Sequence, residues 1–504
     1  MSQYAALRAN VGLLGTQLGD TVRNQLGPAV LERIEQIRHF AKQARQANDP
    51  QDQQLKQLLA SLTDDEILPV ARAFAQFLNL ANLAEQHHTI SKAGASAIEK
   101  PEPLLELLQL LKTKQVDVEK TRQAVADLSI ELVLTAHPTE VTRRTLIYKL
   151  TQIADCLAQR EQDLSAVEQQ RLEARLRDLI TQAWNTNEIR EQRPTPVDEA
   201  KSGFAVIETS LWRAIPEFIR ELDDALTPVL GHGLALDAAP IRFSSWMGGD
   251  RDGNPFVTAK VTRQVLLLSR WKAADLFSQD LELLGNELSM NLANAALQAA
   301  VPGSSEPYRD VLKELKNQLI FTRDWLTEAL KHDRLQKPEG LLWHKQQLLD
   351  PLLLCYHSLV ECKMSVIANG LLLDTIRRAY AFGLTLLKLD VRQESGRHTQ
   401  VFSEFTRYLG IGDYGQWEEP ARQAFLLNEL ASKRPLFPKN WQPSADVQEV
   451  LDTCDIVARH GAEALSTYVI SMAGKPSDVL AVQLLLKDAG ITFPMRVAPL
   501  FETL

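Results

Sequence analysis

Glu131-Leu-Val-Leu-Thr-Ala-His137-Pro138-Thr139-Glu140-Val-Thr-Arg143-Arg144 joins a short apolar run to a proline-fixed corner followed by two arginines. Leu132, Val133 and Leu134 form a run too short for a helix and bounded by a breaker, which predicts a buried strand. Pro138 disfavours helical backbone at His137 and has its own φ fixed, so the imidazole leaves the strand end in a restricted direction. Thr139 can cap a helix starting at Glu140, whose free N–H groups and partial positive charge would favour an anion beside His137. One histidine among 10 is more often a hydrogen-bonded structural residue than a catalyst, so its role depends on what else the chain brings to it.

Outward from this segment the chain reads mostly as amphipathic helix. Apolar residues at three- and four-residue spacing predict helices over 104–111, 168–184, 203–226, 261–292, 307–330 and 341–369. Loops are expected at 93–103, 302–307 and 434–444, where proline, glycine and serine accumulate, and no fixed-period repeat is visible. Five short runs read as strands: 131–135, 241–245, 385–391, 467–471 and 496–500. Strands separated by helical stretches imply parallel pairing, and in β/α barrels functional residues collect at the carboxyl ends of the strands. Here each strand is followed by polar chemistry: His137 after the first, Trp246 to Asn254 after the second, Arg392 after the third, Lys475 to Asp478 after the fourth and Glu502 after the last. Each cluster can also be a solvated turn, but turns alone rarely need Trp246, Arg392 and Glu502, so convergence on one site is the better expectation.

Composition narrows the class. With 504 residues and 45% hydrophobic content the chain can bury a large core. The net charge of -9, with acidic and basic residues interleaved, offers no footprint for nucleic acid or an anionic membrane, so an anionic ligand has to be held by local arginines. Cys156, Cys355, Cys362 and Cys454 are scattered without a C-x-x-C pair, which indicates neither a zinc site nor a disulfide framework and fits a reducing cytoplasm. The amino terminus lacks an apolar signal core and the apolar runs are interrupted before spanning length, so neither export nor membrane insertion is expected.

Asp250-Arg251-Asp252-Gly253-Asn254 resembles the opening of an EF-hand loop, but Pro255 stands where that loop needs glycine and Val261 where it needs glutamate. Alternatively Gly248, Gly249 and Gly253 let backbone amides approach a phosphate or carboxylate, with Arg251 adding charge. Arg392 can present its guanidinium fork to an anion, or equally form an internal pair with Asp390 or Glu394. Glu502 can serve as an oxygen ligand for Mg²⁺ or Mn²⁺, although one carboxylate is not a metal site. Walker A, G-x-G-x-x-G, G-x-S-x-G and H-E-x-x-H motifs are absent.

Taken together, the blocks 133–140, 244–255, 387–395, 471–480 and 499–503 resemble, in identity and order, the signature blocks of the phosphoenolpyruvate carboxylase family, as do 7–19 and 184–200. The resemblance covers nearly the whole chain and implies a predominantly α, helix-rich protein containing part of a parallel β/α, TIM-like barrel. On this reading 1–504 is the amino-terminal part of a single barrel domain of bacterial type, with the barrel incomplete and the carboxyl-terminal part absent. Absent with it are a second metal carboxylate, a catalytic lysine, a glycine-rich arginine loop and the aspartate inhibitor site, so the chain alone is expected to be inactive or poorly soluble. The implied reaction joins bicarbonate to phosphoenolpyruvate, giving oxaloacetate and phosphate through carboxyphosphate and an enolate, and feeds the tricarboxylic acid cycle. The resemblance makes His137 the general base, Arg392 a substrate ligand, Glu502 a ligand of Mg²⁺ or Mn²⁺, and Trp246 with Leu500 an apolar wall. Arg143 and Arg144 are weaker candidates for phosphate contact. It also implies an allosteric, cytoplasmic homotetramer at full length. Against it stand a non-catalytic helical scaffold or regulatory fragment of the same fold, and another phosphoenolpyruvate- or pyruvate-handling barrel enzyme.

Overall fold

The computed structural model describes residues 4–46, 51–96, 103–114, 116–135, 143–187, 194–231, 233–332 and 336–502. Two compact units form: Met1–Glu106 with Thr142–Gln192, and Leu107–Val141 with Arg193–Leu504.

The first unit is helical. Helices Ala5–Leu26, Pro28–Gln46, Gln51–Ala60, Asp64–Ser96, Arg144–Arg160 and Ala166–Trp184 enclose a core that includes Leu14, Leu80, Ile153 and Leu176. Leu172, Leu176, Leu179, Ile180 and Ala183 are buried at the three- and four-residue spacing that puts them on one face of the last helix. That helix starts at a capping box in which Ser165 and Glu168 satisfy each other's backbone N–H groups. By length and composition alone, the segment Asp64–Ser91 could cross a bilayer. Its residues Val70, Ala73, Leu80 and Ala84 belong to the core of this unit.

The second unit is built around five parallel strands in the order β1 (Ile130–Leu134), β2 (Ile241–Ser245), β3 (Lys388–Glu394), β4 (Leu465–Ser471) and β5 (Arg496–Pro499). Sequential neighbours pair, with helices in the connections, as parallel strands require. Phe243, Leu389, Val391, Tyr468 and Ile470 lie on the buried side of the sheet and belong to the main apolar core of the unit. There Phe382 stacks between Phe243, at 5.1 Å, and Trp212, at 5.0 Å. The opposite side is charged: register brings Glu131 beside Arg242 and Ser244 beside Lys388, and Asp390 and Arg392 follow along β3.

This charged side is concave. Ser466 on β4 donates a hydrogen bond to Glu131 Oε1 on β1 at 3.0 Å, across two intervening strands. In a flat sheet those strands would stand about 14 Å apart, so the sheet is strongly curled. Among the described residues it does not close, and β1 and β5 form its edges.

All five expected strands are present, with two corrections. β1 was expected to be buried, yet Ile130, Leu132 and Val133 are 43–48% exposed, because an edge strand with no described neighbour beyond it leaves its apolar side chains uncovered. β3 begins at Lys388 rather than 385, since Gly383–Thr385 is a 3-10 turn and Leu386 takes a φ of 62°. It also runs on through Arg392 to Glu394, held by pairing with Val469, Ile470 and Ser471, so Arg392 is a strand residue. The expected helix over 203–226 is interrupted by a π-turn at Ile207–Leu211, and that over 341–369 ends at Glu361, before Lys363 at a φ of 63°.

A candidate anion site at the carboxyl ends of the strands

The loop after β2 is welded to β3. Two hydrogen bonds from Gly249 and Asp250 N–H to Trp246 O, at 2.8 and 3.0 Å, make a tight turn. The chain then resumes strand pairing, with Arg392 N–H donating to Gly249 O at 2.9 Å and Arg251 N–H donating to Arg392 O at 3.0 Å. Such close approach explains the glycines. A Cβ at Gly249 would lie 2.0 Å from the Asp390 carbonyl oxygen, and one at Gly248, whose φ is 81°, would lie 2.5 Å from Val265 Cγ2. Gly249 was expected to offer its amide to a ligand; its N–H is instead committed to the turn.

Arg251 also corrects its expected role. Its guanidinium turns inward, donating to Gly249 O at 2.9 Å and Thr262 Oγ1 at 2.7 Å. Burial pushes its pKa down, offset in part by Tyr468 and Glu449. It anchors the loop to the helix Ala259–Glu287 and presents no charge to the open side.

Arg392 is the residue at which the tips meet. Its Nη2 pairs with Asp252 Oδ2 and lies 3.8 Å from Glu502 Oε1, while Nε faces Asp250 Oδ1 at 3.7 Å. Its Cζ is 5.8 Å from the centre of the Trp246 ring, within cation–π range. Groups from β2, β3 and β5 therefore surround one guanidinium. The fourth tip joins them where Ser395 Oγ donates to Met472 O at 2.8 Å. Pairing of Arg392 with Asp390 or Glu394 does not occur. Asp390 accepts the Thr467 N–H at 3.0 Å instead, and burial pushes its carboxyl up to about 6. Burial also raises the Asp250 carboxyl, against the opposing pull of the Asp252 N–H and Arg392.

The partners Asp250 and Asp252 were missed as site residues; the available signal was two aspartates flanking an arginine directly after a strand. Leu500 continues the pairing of β5, its N–H donating to Ile470 O at 2.9 Å, and Trp246 is about one-third exposed. His137 lies outside the described residues. Arg143 stands at the N-cap position of the helix Arg144–Arg160, and both arginines belong to the first unit rather than to the unit holding Arg392. Among the described residues no group of three or more histidines, cysteines, aspartates and glutamates could hold a metal ion. Glu502 contributes a half-exposed carboxylate, whereas Asp252 is engaged by Arg392 and Asp250 by the Asp252 N–H. Glu502 is thus one carboxylate that could contribute an oxygen to a cation, and by itself it is not a metal site.

Parallel strands whose carboxyl ends meet at one arginine, within a largely helical chain, define an α/β protein. The sequence matches the family model described as phosphoenolpyruvate carboxylase over residues 7–504. It is 56% identical over 506 residues to the phosphoenolpyruvate carboxylase of Escherichia fergusonii, and 55% identical over 506 residues to those of an Escherichia coli strain and of Shigella flexneri. Each match covers 100% of this chain and 57% of the relative, so the chain spans little more than half the length of those proteins. The chain belongs to the phosphoenolpyruvate carboxylase family.

Proposed function

We propose that this chain carries one side of a site that forms oxaloacetate and phosphate from phosphoenolpyruvate and bicarbonate. The observation that supports this most directly is the convergence of three strand tips on Arg392 in a chain of this family. Arg392 holds the phosphate or carboxylate of phosphoenolpyruvate through charge-assisted hydrogen bonds. Bicarbonate oxygen attacks the phosphorus, the bond from phosphorus to the enol oxygen breaks, and carboxyphosphate and the pyruvate enolate result. His137 takes the carboxyphosphate proton as that intermediate falls to CO₂ and phosphate, and a pKa near neutrality suits the transfer. Trp246 and Leu500 form an apolar wall that keeps water from the enolate until its carbon attacks CO₂. Mg²⁺ or Mn²⁺, when bound at Glu502, supplies positive charge for the enolate oxygen. Gly248 shapes the loop.

The rest of the reading concerns the whole protein: a single TIM-like barrel domain completed by residues the relatives possess beyond the matched region, assembled as an allosteric cytoplasmic homotetramer. The 504-residue chain by itself is then expected to give no turnover. Oxaloacetate formation, followed by NADH oxidation through malate dehydrogenase in Mg²⁺ and bicarbonate, tests this. Joined to the remaining segment of a relative, the chain should carboxylate, and His137→Asn should abolish that activity. Unchanged carboxylation in that variant would remove the base role, and phosphate release without bicarbonate would point to a different phosphoenolpyruvate-handling reaction.

A further inference from the structure

Arg392 has a fixed backbone and a long side chain whose direction the backbone does not decide. Its N–H and C=O are both committed, to Gly249 O at 2.9 Å and Arg251 N–H at 3.0 Å, and β4 pairs along its other side. Beyond Cβ the chain still has several freely rotating bonds, and an arginine sampling them presents its fork to a ligand only part of the time. Among the described residues, a single hydrogen bond holds the guanidinium: Nη2 to Asp252 Oδ2. Asp250 faces Nε at 3.7 Å without bonding it, and Glu502 stands off at 3.8 Å.

Asp252 is well placed to act as a fixed clamp. Its N–H donates to Asp250 Oδ1 at 2.9 Å, in a loop already tied to β3 by two main-chain bonds. Its carboxylate takes Nη2, Nε is buried facing Asp250, and Nη1 has no described hydrogen-bond partner, while the Trp246 ring lies 5.8 Å from Cζ. We propose that Asp252 is a positioning residue that orders the Arg392 guanidinium before the ligand arrives, leaving Nη1 for an anionic oxygen of the substrate. This rests on the reading that Arg392 binds phosphoenolpyruvate.

Two measurements on the 504-residue chain test it. Phenylglyoxal modification of Arg392, followed by peptide mass spectrometry, reports whether the guanidinium is held, with or without a ligand. Asp252→Ala should raise the Arg392 modification rate on the order of tenfold, as expected from loss of one charged hydrogen bond, with Asp252→Asn in between. Any fall in the unfolding midpoint should be no more than the loss of that one bond brings, because both main-chain bonds remain. An unchanged modification rate in Asp252→Ala overturns the proposal. Equilibrium titration with phosphoenolpyruvate gives the second arm: Asp252→Ala should weaken binding on the order of tenfold and Arg392→Ala should weaken it further. Equal or tighter binding in Asp252→Ala, where Arg392→Ala binds poorly, also overturns the clamp. If Arg392→Ala binds as well as the unaltered chain, the functional reading fails, and the modification rates still decide whether Asp252 holds the side chain.

Discussion

At Gly249 a single missing side chain allows two segments to meet. A Cβ there would sit 2.0 Å from the Asp390 carbonyl oxygen, whereas one at Gly253 would meet nothing within 4 Å and suffer only from a φ of 64°. Gly249→Ala should therefore cost about 2–4 kcal/mol through overpacking, and Gly253→Ala about 1–2 kcal/mol through left-handed strain. Paired denaturant melts check the order; equal losses would show that the loop does not need its close approach to β3. Arg251 makes the complementary case. Arg251→Ala removes two buried charged hydrogen bonds, to Gly249 O and Thr262 Oγ1, and should lower stability by about 2–4 kcal/mol in the same melts. Sequence alone offered Arg251 as added charge beside the glycines and Arg392 as a guanidinium fork for an anion. Their difference is one of direction: Arg251 turns toward the helix Ala259–Glu287 and Arg392 toward the concave side.

β3 carries the chemistry of this sheet because alternation sends its residues two ways. Leu389, Val391 and Gln393 are buried, while Lys388, Asp390 and Arg392 lie on the charged side. Asp390 has an ordinary value of 3.8, and its burial there raises its carboxyl to about 6. Between those values the folded chain holds a proton that the unfolded chain has released. Stability from this group is thus fully present below about pH 4 and is lost as pH rises through about 6. Asp390→Asn keeps an oxygen for the Thr467 N–H and mimics the protonated form. It should match the unaltered chain at low pH and be the more stable of the two at pH 7. Urea midpoints at both pH values would refute this if the difference between the two chains were constant. The element itself was legible as an apolar run, but its reach through Arg392 was not, because that depends on pairing with β4.

On the scale of the whole molecule, the sheet of the second unit curls without closing among the described residues, and this leaves β1 as an edge with Ile130, Leu132 and Val133 exposed. An apolar edge strand is a template for association. Val133→Lys should reduce concentration-dependent light scattering, and scattering that did not change would show that this edge is not the adhesive surface. The segment Glu131 to Arg144, with the later blocks ending in Glu502, was enough by itself to assign the family and the five strands, since apolar runs, breakers and polar tips are local properties. Which polar residues meet was decided only by the fold. Parallel register and a strongly curled sheet bring Asp250, Asp252 and Glu502 around Arg392 from positions up to 252 residues apart, since 502 minus 250 is 252. Sequence spacing suggested Asp390 and Glu394 as partners because they are near in the chain. Pairing across strands replaced them with residues that are near in space.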